Sequence, residues 1–159
     1  MGTMRIEHTP SAKAEMLIRR PVAEVFEAFV NPAITTKFWF TKSSGRLEAG
    51  KQIRWEWEMY NASALVSVKA VEQNRRILIE WPGYGTTTVE WLFTPQADDT
   101  TFVSITNNGF GGSGDEVVQS AMDATGGFTM VLCGLKALLE HGIILNLIAD
   151  RSPEGVVKG

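Results

Sequence analysis

One stretch, Ser113 to Leu147, carries the only long helical pattern in the chain, and everything else must be arranged around it. Apolar residues fall at Val118, Met122, Phe128, Val131, Leu132, Leu135, Leu138 and Leu139, with Ala121 and Thr125 in the same stripe. Recurrence at three and four residues puts them on one helical face. The start is signalled by Ser113 and Glu116, spaced as a capping box, with Asp115 and Glu116 where the positive end of the helix dipole favours acids. The stop is signalled by Lys136 and His141 near the end and by Gly142, a natural left-handed terminator. The pattern predicts a helix over Ser113–Gly142. Gly126, Gly127 and Gly134 lie inside it. Each costs a helix interior about 1 kcal/mol relative to Ala, so three of them require a bend, a close backbone contact or space left for a ligand.

Ahead of this helix the period is mostly two. Lys13–Arg19 reads as a first strand, and Pro21 then opens a short helix whose apolar face is Val22, Val25, Phe26 and Phe29. Asn31-Pro32 ends it, and Pro32–Phe38 reads as a second short helix leading to Phe38-Trp39-Phe40. Thr41–Leu47 and Lys51–Tyr60 flank a hairpin-like turn at Glu48-Ala49-Gly50. In the second of these strands Ile53, Trp55, Trp57 and Met59 point one way, and Arg54, Glu56, Glu58 and Tyr60 the other. That is the alternation of an antiparallel strand with one face buried and one solvated. Ala62–Val71, Arg76–Trp81, Thr86–Thr94 and Thr101–Asn108 complete the set, with Ile77, Ile79 and Trp81, then Val89, Trp91 and Phe93, then Val103, Ile105 and Asn107 each on one face. The order β-α-α-β-β-β-β-β-β-α predicts an α+β chain in which a long helix lies on an antiparallel meander. We expect one domain over residues 1–159, with a polar lead-in over 1–11 and a tail packed as far as Ile148 and loose over 149–159.

A formal charge of −3 argues against nucleic acid and acidic membrane surfaces as partners. Cys133 stands alone and cannot form an intrachain disulfide; inside a helix it reads as a small buried residue. The N-terminal MGTMRIEHTPSAK has no apolar run of the signal-peptide kind. The longest apolar run is too short to span a bilayer. Membrane insertion is therefore not expected, and a cytoplasmic location is.

The order of elements and the residues within them resemble the START-like superfamily, also called SRPBCC or Bet v 1-like, and within it the activator of Hsp90 ATPase homologue-like family. The likeness is carried by Arg20-Pro21-Val22-Ala23-Glu24-Val25-Phe26, the Asn31-Pro32 stop, Trp39, and Gly50 before an aromatic strand. It continues through Arg76-Ile77-Leu78-Ile79-Glu80-Trp81, Thr88-Val89-Glu90-Trp91 and Asn107-Asn108-Gly109-Phe110 ahead of the long helix. It covers roughly residues 12–148. The resemblance implies a helix-grip fold, a curved seven-stranded antiparallel sheet around the C-terminal helix, with an apolar cavity between them. Family members often carry His where Asn107 stands, so His-based chemistry is not carried over. Nor is co-chaperone activity, since the extra N-terminal domain of the Hsp90 co-chaperone is not expected here.

Gly109-Phe110-Gly111-Gly112-Ser113-Gly114 matches G-x-G-x-x-G between a strand and a helix. A dinucleotide fingerprint needs a following parallel strand, and none follows. Asp115 and Glu116 would also repel a pyrophosphate at the helix start. The aromatic residues are the stronger signal. Alternation places Trp55, Trp57, Trp81 and Trp91 on the inner face, opposite Met122, Gly127, Phe128, Val131 and Leu135 of the helix. With Trp39, with Tyr84 at the mouth and with Asn107 as the inner-face polar group, they form the expected lining of a cavity for a small apolar ligand. Thr125 and Thr129 are candidate partners of Asn107. No metal site is expected, because His8 and His141 have no companions at ligand spacing. No catalytic residue and no cofactor is assigned. The expected function is binding of a small hydrophobic, lipid-like or aromatic molecule, and the sequence leaves a homodimer open. The alternatives are an enzyme of the same fold using acid–base chemistry on a bulky apolar substrate, and a chaperone-interacting module.

Overall fold

The structure is a computed structural model, and it describes residues 9–83 and 85–153. Seven strands form one sheet: β1 (Ala12–Ile18), β2 (Lys42–Ser43), β3 (Gln52–Trp57), β4 (Ala62–Glu72), β5 (Arg76–Gly83), β6 (Gly85–Gln96) and β7 (Thr100–Asn108). Their spatial order is β1-β7-β6-β5-β4-β3-β2, and every neighbouring pair is antiparallel. The meander from β2 to β7 is thus laid down in chain order, and β1 closes on the last strand, with Ala14 opposite Ile105.

One face of this sheet holds the core. Ile53 and Trp55, Val66 and Val68, Ile77 and Ile79, Val89, Trp91 and Phe93, and Val103 and Ile105 are all buried on it. Each Val or Ile so buried contributes roughly 1.5–3 kcal/mol. The other face is charged: Arg76 Nε donates to Glu90 at 2.6 Å and its Nη1 to Glu72 at 3.0 Å, while Lys69 pairs with Glu80.

Helices α1 (Val22–Val30) and α2 (Pro32–Thr35) follow β1. Asn31 separates them: its side chain accepts from the Ala33 N–H at 3.0 Å, and Pro32 takes the first helical position, where a missing N–H does no harm. The buried Thr35 hydroxyl donates to the Ala28 carbonyl at 2.6 Å, folding α2 back on α1. Phe38, Trp39 and Phe40 come next in the chain, and all three are buried.

The long helix, α3, runs Gly114–His141. Ser113 caps it, accepting from the Glu116 N–H, and Gly142 ends it at φ 65° with its N–H bonded to the Leu138 carbonyl at 2.8 Å. By length and composition α3 is apolar enough to cross a membrane. In this fold Phe128, Val131, Leu132 and Leu135 of α3 are buried against the rest of the molecule. Its C-terminal half is tied to β1. Lys136 Nζ donates to the Leu17 carbonyl at 2.9 Å, and the Arg19 N–H donates to Glu140 at 2.8 Å. Burial alone would raise the pKa of Glu140, but the Arg19 N–H and the Lys136 ammonium outweigh it and hold the carboxyl below its ordinary value. A last short helix, α4 (Leu147–Arg151), doubles back beside α3.

Five expectations change. The inner stripe of the first half of α3 is Val117, Ala121, Ala124 and Phe128, not Val118 and Met122; Met122 is 62% exposed. Six residues before Phe128 is about a third of a turn off its face, which is why Met122 cannot face the sheet. Thr125 and Thr129 donate to the carbonyls four residues back, Ala121 and Thr125, rather than to Asn107. β3 stops at Trp57, because Glu58–Tyr60 form a 3-10 turn and Asn61 is left-handed at φ 50°; Met59 is therefore 41% exposed instead of inward. The strand expected over Thr41–Leu47 shortens to Lys42–Ser43: the Ser43 hydroxyl bonds the carbonyl and N–H of Gly45, and the Ser44 hydroxyl accepts from the Arg54 N–H of β3. The tail, expected to be loose from residue 149, is helical through Arg151.

Candidate functional site

Between the sheet and the middle of α3 lies a cavity of about 940 Å³. Its aromatic wall comes from four separate parts of the chain: Trp39 after α2, Trp57 at the end of β3, Trp81 in β5, and Phe110 and Phe128 on either side of the start of α3. Three of the rings touch one another. The Trp39 and Trp81 centroids are 6.0 Å apart at 28°, Trp57 and Trp81 are 5.9 Å apart, and Trp39 and Trp57 are 6.3 Å apart. These are contact distances for aromatic pairs. The indoles therefore form a continuous panel with no slot between them, and a ligand would lie against the panel rather than be caged by it.

Of the twelve residues expected to line a cavity, Trp39, Trp57, Trp81, Asn107, Gly127, Phe128 and Val131 do so. Trp55, Trp91 and Leu135 do not, being at most 1% exposed in the core below it. Phe40 stacks on Trp55 at 4.7 Å and 14°, while Trp91 packs on Phe29 and Phe128. Alternation assigns a face but not a depth, and these residues share the cavity's face without reaching it. Met122 is on the outside of the helix, and Tyr84 lies outside the described residues.

Asn107 is 6% exposed and donates from Nδ2 to the Thr88 carbonyl at 2.9 Å. Its carbonyl oxygen takes no hydrogen bond among the described residues. The remaining polar lining forms a rim: Tyr60, Thr87, Gln119, Ser120, Asp123, Arg151 and Ser152. Asp123 accepts from Gln119 Nε2 at 2.9 Å. The Tyr60 hydroxyl donates to the Ile148 carbonyl and also to that of Ala149 at 3.3 Å, holding α4 at the cavity. None of this rim beyond Asn107 was expected. A signal for part of it was present: Ser120, Ala124, Gly127 and Val131 recur at helical spacing and are all small or medium-sized, marking a face that leaves room. Nothing in the sequence brings α4 to this place.

The glycines of α3 divide. A Cβ on Gly134 would stand 3.3 Å from the Phe38 Cβ and 3.4 Å from the Phe38 carbonyl, so this glycine permits close packing. Cβ atoms on Gly126 and Gly127 would meet only the Arg151 guanidinium, at 3.7 and 3.6 Å. The Gly-rich loop is equally plain. Gly112 at φ 109° sits over Glu116, whose carboxylate oxygen would be 2.8 Å from an added Cβ. The helix start is thus filled by the protein's own carboxylate. Among the described residues no three His, Cys, Asp or Glu side chains come together as a metal site.

A curved seven-stranded antiparallel sheet holding a long C-terminal helix is the helix-grip fold of the START/Bet v 1-like superfamily. Residues 19–140 match the model of one family within it, and the chain belongs to that family, described as Activator of Hsp90 ATPase homolog 1-like protein. No curated protein matches the sequence. Among solved structures the chain is similar to protein SSP2350 from Staphylococcus saprophyticus, at 30% identity and TM-score 0.74 over 86% of this chain and 96% of that one. It shares its fold with DynU16, a putative protein in the dynemicin biosynthetic locus, at 24% identity and TM-score 0.73 over 84% and 48% of the two chains. The same holds for the Aha1 dimer from Colwellia psychrerythraea, at 17% identity and TM-score 0.70 over 84% and 98%.

Proposed function

We propose that the protein binds a small hydrophobic molecule in the cavity between the sheet and α3. The observation that carries this reading is the panel of Trp39, Trp57 and Trp81 facing unfilled space of about 940 Å³. The cavity opens to solvent on one side, and a mostly apolar space of this size falls in the range of small-molecule sites. The chain supports it actively. Gly127 and Ala124 withhold side-chain volume from α3, and α4 is tied across one side through Tyr60.

The test is a fluorescence titration with the neutral dye N-phenyl-1-naphthylamine. Saturable one-to-one binding is expected, with quenching of tryptophan emission. Gly127→Leu should weaken it about tenfold if the new side chain displaces two methylene-sized pieces of dye from the wall, at roughly 0.8 kcal/mol each. Absence of saturable binding by the unmodified protein, or equal affinity in a folded Gly127→Leu variant, would overturn the reading.

A further inference from the structure

We propose that the ligand is an amphiphile with one acidic group, and that Arg151 is its anchor. The inference rests on the cavity reading above and adds the chemical class of the ligand. Of the described residues that line the cavity, only Asp123 and Arg151 carry full charges. They differ in their surroundings. Asp123 already accepts a hydrogen bond from Gln119 on its own helix. The Arg151 side chain makes no ion pair and no hydrogen bond among the described residues. Its guanidinium nitrogens lie over Gly126 and Gly127, 3.6–3.7 Å from where Cβ atoms would be, so the planar group rests on a shelf of bare backbone. The helical carbonyls beneath that shelf are committed to the α3 ladder, and a guanidinium has five donors and no acceptor of its own. At the edge of an apolar cavity, such a fork matches a carboxylate or sulfonate. An extended ligand can then place its acidic end on Arg151 and its apolar body along the tryptophan panel, with the free Asn107 carbonyl oxygen as an acceptor on the way.

This arrangement also accounts for α4. Tyr60 holds the carbonyls of Ile148 and Ala149, which fixes the helix one turn from Arg151 and so places the guanidinium on the shelf. It explains why two adjacent glycines persist in mid-helix where nothing of the sheet approaches them.

The experiment compares two dyes that share a ring system and differ by one sulfonate, 1-anilinonaphthalene-8-sulfonate and N-phenyl-1-naphthylamine, on the full chain. Expected is a preference for the sulfonate on the order of tenfold, the size of a charge-assisted hydrogen bond, which shrinks as salt is raised. Arg151→Gln should abolish the preference, weakening the sulfonate more than the neutral dye, while Arg151→Lys keeps part of it. If both dyes bind equally and Arg151→Gln changes neither, the anchor is wrong and the cavity reading stands. If neither dye binds, the cavity reading fails and the anchor with it.

Discussion

The two halves of α3 answer the same physical question in opposite ways. From Val131 to Glu140 the helix is pressed onto its surroundings. Leu132 and Leu135 are fully buried, Gly134 lets the backbone approach Phe38, and Lys136 and Glu140 bond the backbone of β1 and the residue after it. From Ser120 to Gly127 the same helix borders the cavity, with Ser120, Ala124 and Gly127 in its lining. Glycine occurs in both halves for different reasons. One residue is small because Phe38 is too close, and two stand where only the Arg151 guanidinium approaches. A sequence shows only that all three are glycine.

The contrast can be broken or sharpened by substitution. The largest effect is expected at Leu135. Leu135→Ala should destabilise the fold by about 2–5 kcal/mol, as for other fully buried leucines, read as a lowered denaturation midpoint in urea. A loss under about 1 kcal/mol would mean that the C-terminal half is less solidly packed than described. Next is Gly134→Leu, which must displace Phe38 and should lose about 1–3 kcal/mol by overpacking. Unchanged stability would remove the distinction between the glycines.

Gly127→Ala should move the other way. Its Cβ meets only the guanidinium at ordinary contact distance, so the variant should gain about 0.5–1 kcal/mol from helix propensity. A loss of stability at this position would place Gly127 with Gly134 and undo the argument for room.

The smallest effect concerns the fastening at Glu140. A carboxyl whose pKa is lowered in the folded state adds stability that is present above its ordinary value, 4.5, and is lost as the pH falls through the folded-state pKa. Stability should therefore decline as the solution is acidified below about pH 5, and Glu140→Gln should flatten that decline. An identical acid limb in the variant would show that Glu140 is not the group responsible.

Much of the fold was legible because it depends on periodicity. Trp91 and Ile105, Ile77 and Ile79, and the caps Ser113 and Gly142 are read directly from alternation and from the chemistry of helix ends. The site was legible in part. Trp57, Trp81 and Asn107 were on the correct face and at the correct depth, whereas Trp55 and Trp91 were on the correct face and too deep. Met122 was misplaced because the glycine pair and the two threonines blur the stripe ahead of Phe128, where an error of one residue in phase moves a side chain out of the core.

What the sequence determined by itself is whatever local pattern can encode: the strands, the antiparallel meander, the long capped helix, and a group of tryptophans destined for its inner side. Only the tertiary structure decided how far the helix stands from the sheet, since that distance is set by contacts between residues far apart in the chain, Gly134 against Phe38 and Lys136 against Leu17. It also decided the position of Arg151. A five-residue helix has too few internal hydrogen bonds to be stable alone, and α4 sits where the Tyr60 hydroxyl holds its carbonyls, a bond between residues almost ninety positions apart.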